Sequence, residues 1–406
     1  MQYSKTGIST TIVVAVVILL AVIIAAGAFV ATSPGQKTTT ATSVSTATTT
    51  SVSTATATSV STVYTVSAES TDTALSGTLL ETGSSLLYPA FNLWVVNFSQ
   101  VYPNIHVTTG STGSGTGQSD AESGTVQIGA SDAYMTPASL EKYPTMLNIP
   151  LAISAQQLNF NIPVNGLNKV HLNMSGPVLA GIYNGSITTW NNPKIAALQS
   201  ASVASQLPAQ TIIPIHRQDS SGDTFIFTSY LSDSDPQWNS TIGYGTTVSW
   251  PAVSGSLAAT GNSGMVTALA ETPYSIAYVG ISYLNSANQL GLGYAFLKNK
   301  AGNFVDISTA NIQSAVNAVA PNTPKNEIIS LIFAPGANSY PIVNYEYAIV
   351  NMHQPTTSDA QNIQALLTWI VTYGNQQYYL VQVHFVALPS AVKQLSLAQI
   401  NSITSP

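Results

Sequence analysis

The period of hydrophobic and polar positions changes several times along this chain, and each change marks a part. Residues 12–31 are an unbroken apolar run, IVVAVVILLAVIIAAGAFVA. At ~20 residues the run suits a helix that spans a bilayer, and it exceeds the roughly 7–15 residues of an ordinary signal-peptide core. Residues 38–66 alternate Thr and Ser with Ala and Val, SVSTAT recurs at 43–48 and 51–56, and no charge lies between Lys37 and Glu69. This pattern offers no core. It reads as a stalk, either glycosylated or a plain disordered spacer, that holds the rest of the chain away from a membrane.

From Thr78 the periods become those of a packed domain. GTLLETG predicts a strand, a GSS turn comes next, and Leu87, Phe91, Trp94, Val95 and Phe98 recur at helical spacing. HVTTGSTGSGTGQSD reads as a strand with a Gly/Ser turn, QIGASDAYM as a strand ending at Asp132, and QQLNFNIPVNG as a strand and turn. GPVLAGIYNGSITTW predicts a helix stopped at Gly185, and TIIPI a strand that runs through a polar turn into the apolar helix face FIFTSYL. Strand–turn–helix units continue over 250–330, before the strand YPIVNYEYAIVN and the amphipathic helix DAQNIQALLTWIVTYGNQ. The alternation predicts an α/β fold with mostly parallel sheets. Ligands of such sheets sit at strand carboxyl ends, where helices begin.

Composition narrows the chemistry. Charged residues are 6% of the chain against a usual ~25%, so the surface changes little in charge in an acidic medium, as suits an exterior location. Net charge is −6, and without a basic patch nucleic acid is not a partner. There is no cysteine, which excludes disulfides, thiolate metal sites and lipid anchoring through an N-terminal cysteine. The histidines at 106, 171, 216, 353 and 384 are scattered, so no metal centre or cofactor is expected. Sequons at Asn97, Asn173, Asn184 and Asn239 point to an exterior face and a glycoprotein.

Three turns carry candidate chemistry: Gly83-Ser84-Ser85, residues 113–117 (GSGTG), and residues 219–224 (DSSGDT), each placed before a helix. The third adjoins Arg217, the only arginine in the chain. Helix N-termini with short hydroxyls favour anions, and a guanidinium is a forked donor suited to a tetrahedral oxyanion. Taken alone, the Arg217 turn also reads as a capped helix with a structural Arg–Asp pair. Three such turns converging would make a site lined with N–H and O–H donors for an anion with many acceptor oxygens. Walker loops, G-x-G-x-x-G and G-x-S-x-G elbows are missing, and no nucleophile with a base suggests an enzyme.

These segments resemble a known family, the phosphate-binding proteins of high-affinity phosphate ABC transporters. TGSSLLYPAFNLW resembles the family's first phosphate loop and helix, GSGTGQ its second loop, GASDA its aspartate turn and HRQDSSGDTFIFTSYL its R-x-D-x-S-G-T loop; SIAYVGISY and HFVALPSAV are similar to further family segments. The resemblance implies a two-lobed, periplasmic-binding-protein-like fold of type II. Lobe one would be 77–160 with 341–406, lobe two 161–340, with a hinge of two crossings near 161–163 and 339–342. Inorganic phosphate would be trapped, dehydrated, in the cleft and delivered to the permease and ATPase subunits of the transporter. By family role, Ser85 donates through hydroxyl and backbone, Leu86 through its backbone, and Ser114 from the second loop. Asp132 accepts the proton that phosphate carries and sulfate lacks. Arg217 bonds the anion and is held by Asp219, and Ser221 and Gly222 donate at the helix start.

One position departs from the family: Asp223 stands where a Thr donor is usual. Either Asp223 turns away and caps the helix, leaving Thr224 to donate, or it is a second acceptor for doubly protonated H2PO4−. The head of the chain, MQYSKTG before the apolar run, resembles the pilin-like signal peptides of archaea. It implies a leader at 1–7, a transmembrane or pilin-like helix at 8–31 and a stalk at 32–76, with the domain on the extracellular side of the cell membrane. Complete removal of the helix is the other outcome. The same leader opens a second function, a pilus or surface-layer subunit built on a binding-protein domain.

Overall fold

A computed structural model describes residues 71–406 and, in a separate N-terminal unit spanning Met1–Ser67, one antiparallel strand pair, Val44–Ser45 with Ser59–Val60. The leader, the apolar run at 12–31 and most of the stalk lie outside the described residues. Among the described residues no helix is long and apolar enough to cross a membrane.

The elements that position the site, in chain order, are β1 (Gly77–Gly83), α1 (Tyr88–Val101), β2 (Ile105–Thr108), α2 (Ser114–Glu122), β3 (Ile128–Ser131), β4 (Met146–Asn161), α3 (Gly176–Tyr183), β5 (Ile213–Arg217), α4 (Gly222–Ser234), β6 (Leu257–Ala259), α5 (Gly261–Glu271), β7 (Ser275–Gly280), β8 (Gly293–Tyr294) and β9 (Val343–Asn351), then α6 (Thr357–Trp369) and α7 (Ser390–Asn401). The strands form one nine-stranded sheet in the order β2-β1-β3-β9-β4-β7-β5-β6, with β8 also on β4.

The flanks are parallel: β1 with β2 and β3, and β5 with β7 and β6. The middle is not. β9 runs antiparallel to β3 and β4, and β4 antiparallel to β7. The expectation of mostly parallel pairing thus holds where helices cross over and fails at the two strands that span the centre. β4 exchanges partners halfway: Ala155 is opposite Val343 of β9, and the next residue, Gln156, is opposite Gly280 of β7. The switch sits earlier on the strand than Asn161.

β4 is sixteen residues long and starts well before the QQLNFN segment that reads as a strand in the sequence. Pro150 hides the first half, because a proline cannot donate to a ladder. The fold accommodates it with a register shift: the consecutive β9 residues Glu346 and Tyr347 face Ala152 and Pro150, so β4 carries one extra residue, Leu151. A bulge of this kind re-aims the side chains beside it.

Packing fixes the helices that carry the turns. α1 buries Ala90, Phe91, Trp94 and Phe98 at the spacing of one helical face; Trp94 Nε1 donates to Gly374 O at 2.9 Å. α4 is buried from Gly222 through Ser232, as a helix enclosed on all sides must be. Phe227 stacks on Tyr278 of β7, with centroids 4.5 Å apart, and meets Tyr183 of α3 edge-on at 5.0 Å. These rings hold the first turn of α4 in place.

Candidate functional site

The three turns, which follow β1, β2 and β5, meet beside Asp132 at the end of β3. At the first, Gly83 has φ +143°, and a Cβ there would lie 2.0 Å from Ala130 O, so only glycine lets β1 end flush against β3. The chain then turns into Ser84, whose Oγ accepts from the Leu86 and Leu87 N–H groups at 3.1 and 2.9 Å and donates to the Asp132 carboxylate. Ser85 Oγ accepts from both Asn262 N and Asn262 Nδ2 at 3.0 Å. At the second turn, the Gly/Ser run forms the opening of α2 itself rather than a loop before it. Ser114 is its first residue; its Oγ accepts from Asp132 N at 3.2 Å and donates to Asp132 Oδ2 at 3.3 Å.

The third turn brings Arg217 in from β5. Its Nε donates to Asp219 Oδ1 at 2.7 Å and its Nη2 to Asp219 Oδ2, a bidentate pair. The remaining arm, Nη1, donates to Asp223 Oδ2 at 2.6 Å. Arg217 N donates to the Tyr278 hydroxyl at 2.8 Å, which also bonds Thr224 Oγ1 at 2.8 Å. Ser221 caps α4 by accepting from Asp223 N at 3.0 Å. A Cβ on Gly222 would come within 2.6 Å of Asp132 Cβ and Ser114 Oγ. The start of α4 therefore sits directly on the aspartate turn.

Asp223 does not turn away to cap its helix. Its carboxylate is fully buried, faces Arg217, and also accepts from Asn262 Nδ2 at 2.7 Å and Gln156 Nε2 at 3.0 Å. The capping alternative fails because Ser221 already supplies the cap, and Thr224 is engaged with Tyr278.

The electrostatics come from one buried cation among several carboxyls. Burial opposes charge on Arg217, but its bonds to Asp219 and the charge of Asp223 outweigh that and strengthen its hold on the proton. Burial also pushes Asp219 upward, yet the guanidinium overcomes it and holds the carboxyl below the usual range. Asp223 is pushed up to about 7 by burial and by the neighbouring Asp132 charge, against the pull of Arg217, Gln156 and Asn262. Burial raises Asp132 too, opposed by hydrogen bonds from Glu346 and Ser84, by Arg217 and by Ser114. Glu346 is raised well above an ordinary glutamate, by burial and then by Asp132.

Ser85, Leu86, Ser114, Asp132, Arg217, Asp219, Ser221, Gly222 and Asp223 all lie in this cluster. His216, next to Arg217, does not join it: its ring stacks on Trp250, with centroids 4.9 Å apart. Ser84, part of the first turn but given no role of its own in the sequence, also belongs to the cluster; Gln156, Asn262, Asn344 and Glu346 join it and are not expected from the sequence. Asn262 had a signal, since Gly261-Asn262-Ser263-Gly264 is a fourth turn of the same kind and opens α5. Gln156, Asn344 and Glu346 come from the central strands, which carry no such turn. Among the described residues no cluster of His, Asp and Glu could hold a metal ion. Of the sequons, Asn97 and Asn173 spend their amides on the carbonyls of Leu93 and Leu198, whereas Asn239 is exposed.

Comparison with known proteins gives a consistent result. The family model described as a PBP superfamily domain matches residues 33–372. A phosphate-binding protein, PstS, of Methanocaldococcus jannaschii is 31% identical over 355 residues, covering 83% of this chain and 90% of that protein. The PstS of Pasteurella multocida is 31% identical over 327 residues, covering 80% of this chain and 91% of the relative. Among solved structures, a phosphate-binding protein from Stenotrophomonas maltophilia superposes with a TM-score of 0.57 at 18% identity, covering 80% of this chain and 94% of that one. That likeness shows the fold: α/β and periplasmic-binding-protein-like.

Proposed function

Because the chain belongs to the phosphate-binding protein family of the PBP superfamily, we propose that it is a receptor that captures inorganic phosphate outside the cell. It delivers the anion to the permease and ATPase subunits of an ABC transporter and catalyses no reaction. The observation that carries this reading is the single buried guanidinium, Arg217, placed where the Ser85, Ser114 and Ser221 turns and the Asp132 carboxylate meet. Donors gathered at helix starts suit an oxyanion, and one acceptor among them suits an oxyanion that carries a proton.

In this reading Ser85, Leu86, Ser114, Ser221 and Gly222 donate to the anion, Arg217 bonds it while held by Asp219, and Asp132 takes its proton. Sulfate has no proton to offer Asp132 and would leave a buried acceptor facing a bare oxygen, which costs a few kcal/mol. Two lobes close over the ligand. We place their first crossing inside β4 at the Ala155/Gln156 partner exchange, earlier than the 161–163 expected from the sequence, and the second at Ile342/Val343, beside 339–342. The apolar run near the N-terminus tethers the receptor to the cell membrane, and the Ser/Thr stalk sets its reach. The pilus or surface-layer alternative has no support from the relatives found.

Calorimetry on the purified protein tests this. Phosphate should bind at one site per chain, with sulfate weaker by roughly 100-fold or more, the worth of one unpaired buried acceptor, and a phosphoester should not be turned over. No heat with phosphate, or hydrolysis of the ester, would overturn it.

A further inference from the structure

The floor beneath the three turns is one face of the β4–β9 pair. Ser154 and Gln156 share a face of β4, and Asn344 and Glu346 share a face of β9, because alternate strand residues point the same way. All four are buried. Gln156 reaches Asp223, and Asn344 Nδ2 donates to the backbone carbonyl of Asp132. Glu346 is the residue just before the register shift opposite Pro150 and Ala152.

Glu346 has no cation of its own. Oε1 accepts from Ser154 Oγ. Oε2 is buried and meets no donor, and the group within hydrogen-bonding reach of this side chain is the Asp132 carboxyl. Two carboxylates in that position would repel one another, and Oε2 would be an orphan acceptor. One proton between them satisfies both: Glu346 as a carboxylic acid donates its O–H to Asp132. The other charged or titratable groups around the pair are Arg217 at the end of β5, Asp223 in the first turn of α4, and Tyr347 on β9 itself. The hydroxyls of Ser84, Ser114 and Ser154 complete the surroundings.

We infer that Glu346 is a positioning residue for anion selectivity: its carboxylic acid donates to Asp132 from behind and keeps Asp132 an unprotonated acceptor on the side that faces the anion. This rests on the phosphate-receptor reading. Its consequence is specific. An Asp132 that gained a proton would become a donor and would accept sulfate, so the cleft discriminates only while Asp132 stays ionised. Burial presses Asp132 toward protonation. The Glu346 hydrogen bond opposes it without adding a net charge to the cleft.

The test compares Glu346→Gln and Glu346→Leu with the parent in the full-length protein, measuring phosphate binding and its competition by sulfate from pH 5 to 8. The glutamine amide still donates to Asp132, so Glu346→Gln should keep the parent's discrimination across the range. Glu346→Leu removes the donor, so sulfate should begin to compete at a higher pH than in the parent, and discrimination below that pH should fall about 10- to 100-fold, the size of one hydrogen bond to a charged group. Equal sulfate profiles for the two variants would overturn the inference. A second measurement does not depend on the leucine variant folding. At neutral pH the infrared difference between parent and Glu346→Gln should contain the carbonyl band of a hydrogen-bonded, protonated carboxyl. Its absence would also overturn the inference. A parent that shows the band and binds no phosphate would instead refute the receptor reading and leave the Glu346–Asp132 pair intact.

Discussion

Replacing Arg217 with methionine should abolish phosphate binding and lower thermal stability in the same protein. The guanidinium is the only cation in contact with Asp219 and Asp223 among the described residues; methionine fills the volume of its stem and leaves two carboxylates without a counter-charge. Removing one partner of a buried ion pair costs about 3–5 kcal/mol, a large share of the roughly 5–15 kcal/mol that holds a domain together. The affinity loss should exceed about 1,000-fold, since a charge-assisted contact to the anion disappears while uncompensated negative charge remains beside it. Arg217→Lys separates the two effects. Its point charge still neutralises one carboxylate, so stability should recover in large part, but it cannot make the fork that holds Asp219 with two arms and turns a third elsewhere. Phosphate binding should stay well below the parent. Calorimetry and thermal unfolding on the two variants check this; a lysine variant with parental affinity would show that only charge matters here.

Asp223→Thr should strengthen phosphate binding at pH 8 and make little difference at pH 5. In the parent, the Asp223 carboxyl titrates near pH 7. Above that pH it is ionised and takes the Arg217 arm, the Asn262 amide and the Gln156 amide, all donors that a bound oxyanion would want. Below it the group is neutral, the Arg217 arm is released, and the carboxylic O–H can itself face phosphate. The sign is therefore fixed: the parent should gain affinity relative to the threonine variant as pH falls through about 7. Two unit charges 4 Å apart interact by about 4 kcal/mol at an effective dielectric near 20, and relaxation takes part of that, so a difference of roughly 100-fold at pH 8 is expected. Affinities of both proteins that run parallel from pH 5 to 8 would sink the idea. The low charge content of the chain and this carboxyl point the same way, to a receptor that works best in an acidic medium.

The parts of the site that sequence alone makes legible are those with distinctive local chemistry. Gly83-Ser84-Ser85, the Gly/Ser opening of α2 and the lone Arg217 stand out because tight turns and helix starts restrict which residues can be used. The central strands are harder to read. In VNYEYAIVN, Asn344 and Glu346 alternate with apolar neighbours, which in an antiparallel strand ordinarily marks a solvent face. Here that face is turned inward, onto Asp132, and only the three-dimensional sheet order reveals it. Pro150 likewise breaks the pattern that would announce the first half of β4. Asp223 illustrates a different limit: its identity is visible as a departure from the R-x-D-x-S-G-T pattern, but its direction depends on Gln156 and Asn262, which are remote in the chain and close in space.

We propose that the three turns, one guanidinium and one carboxylate enclose a single tetrahedral anion. A crystal structure of the purified protein grown with arsenate, which shares the shape and protons of phosphate, tests it most directly through the anomalous signal of arsenic. One strong peak per chain is expected, with its oxygens in hydrogen-bonding range of Ser85, Ser114, Arg217 and the first turn of α4, and one oxygen facing Asp132. A peak elsewhere on the surface, or Arg217 still closed on Asp223 with no anion between the turns, would contradict it.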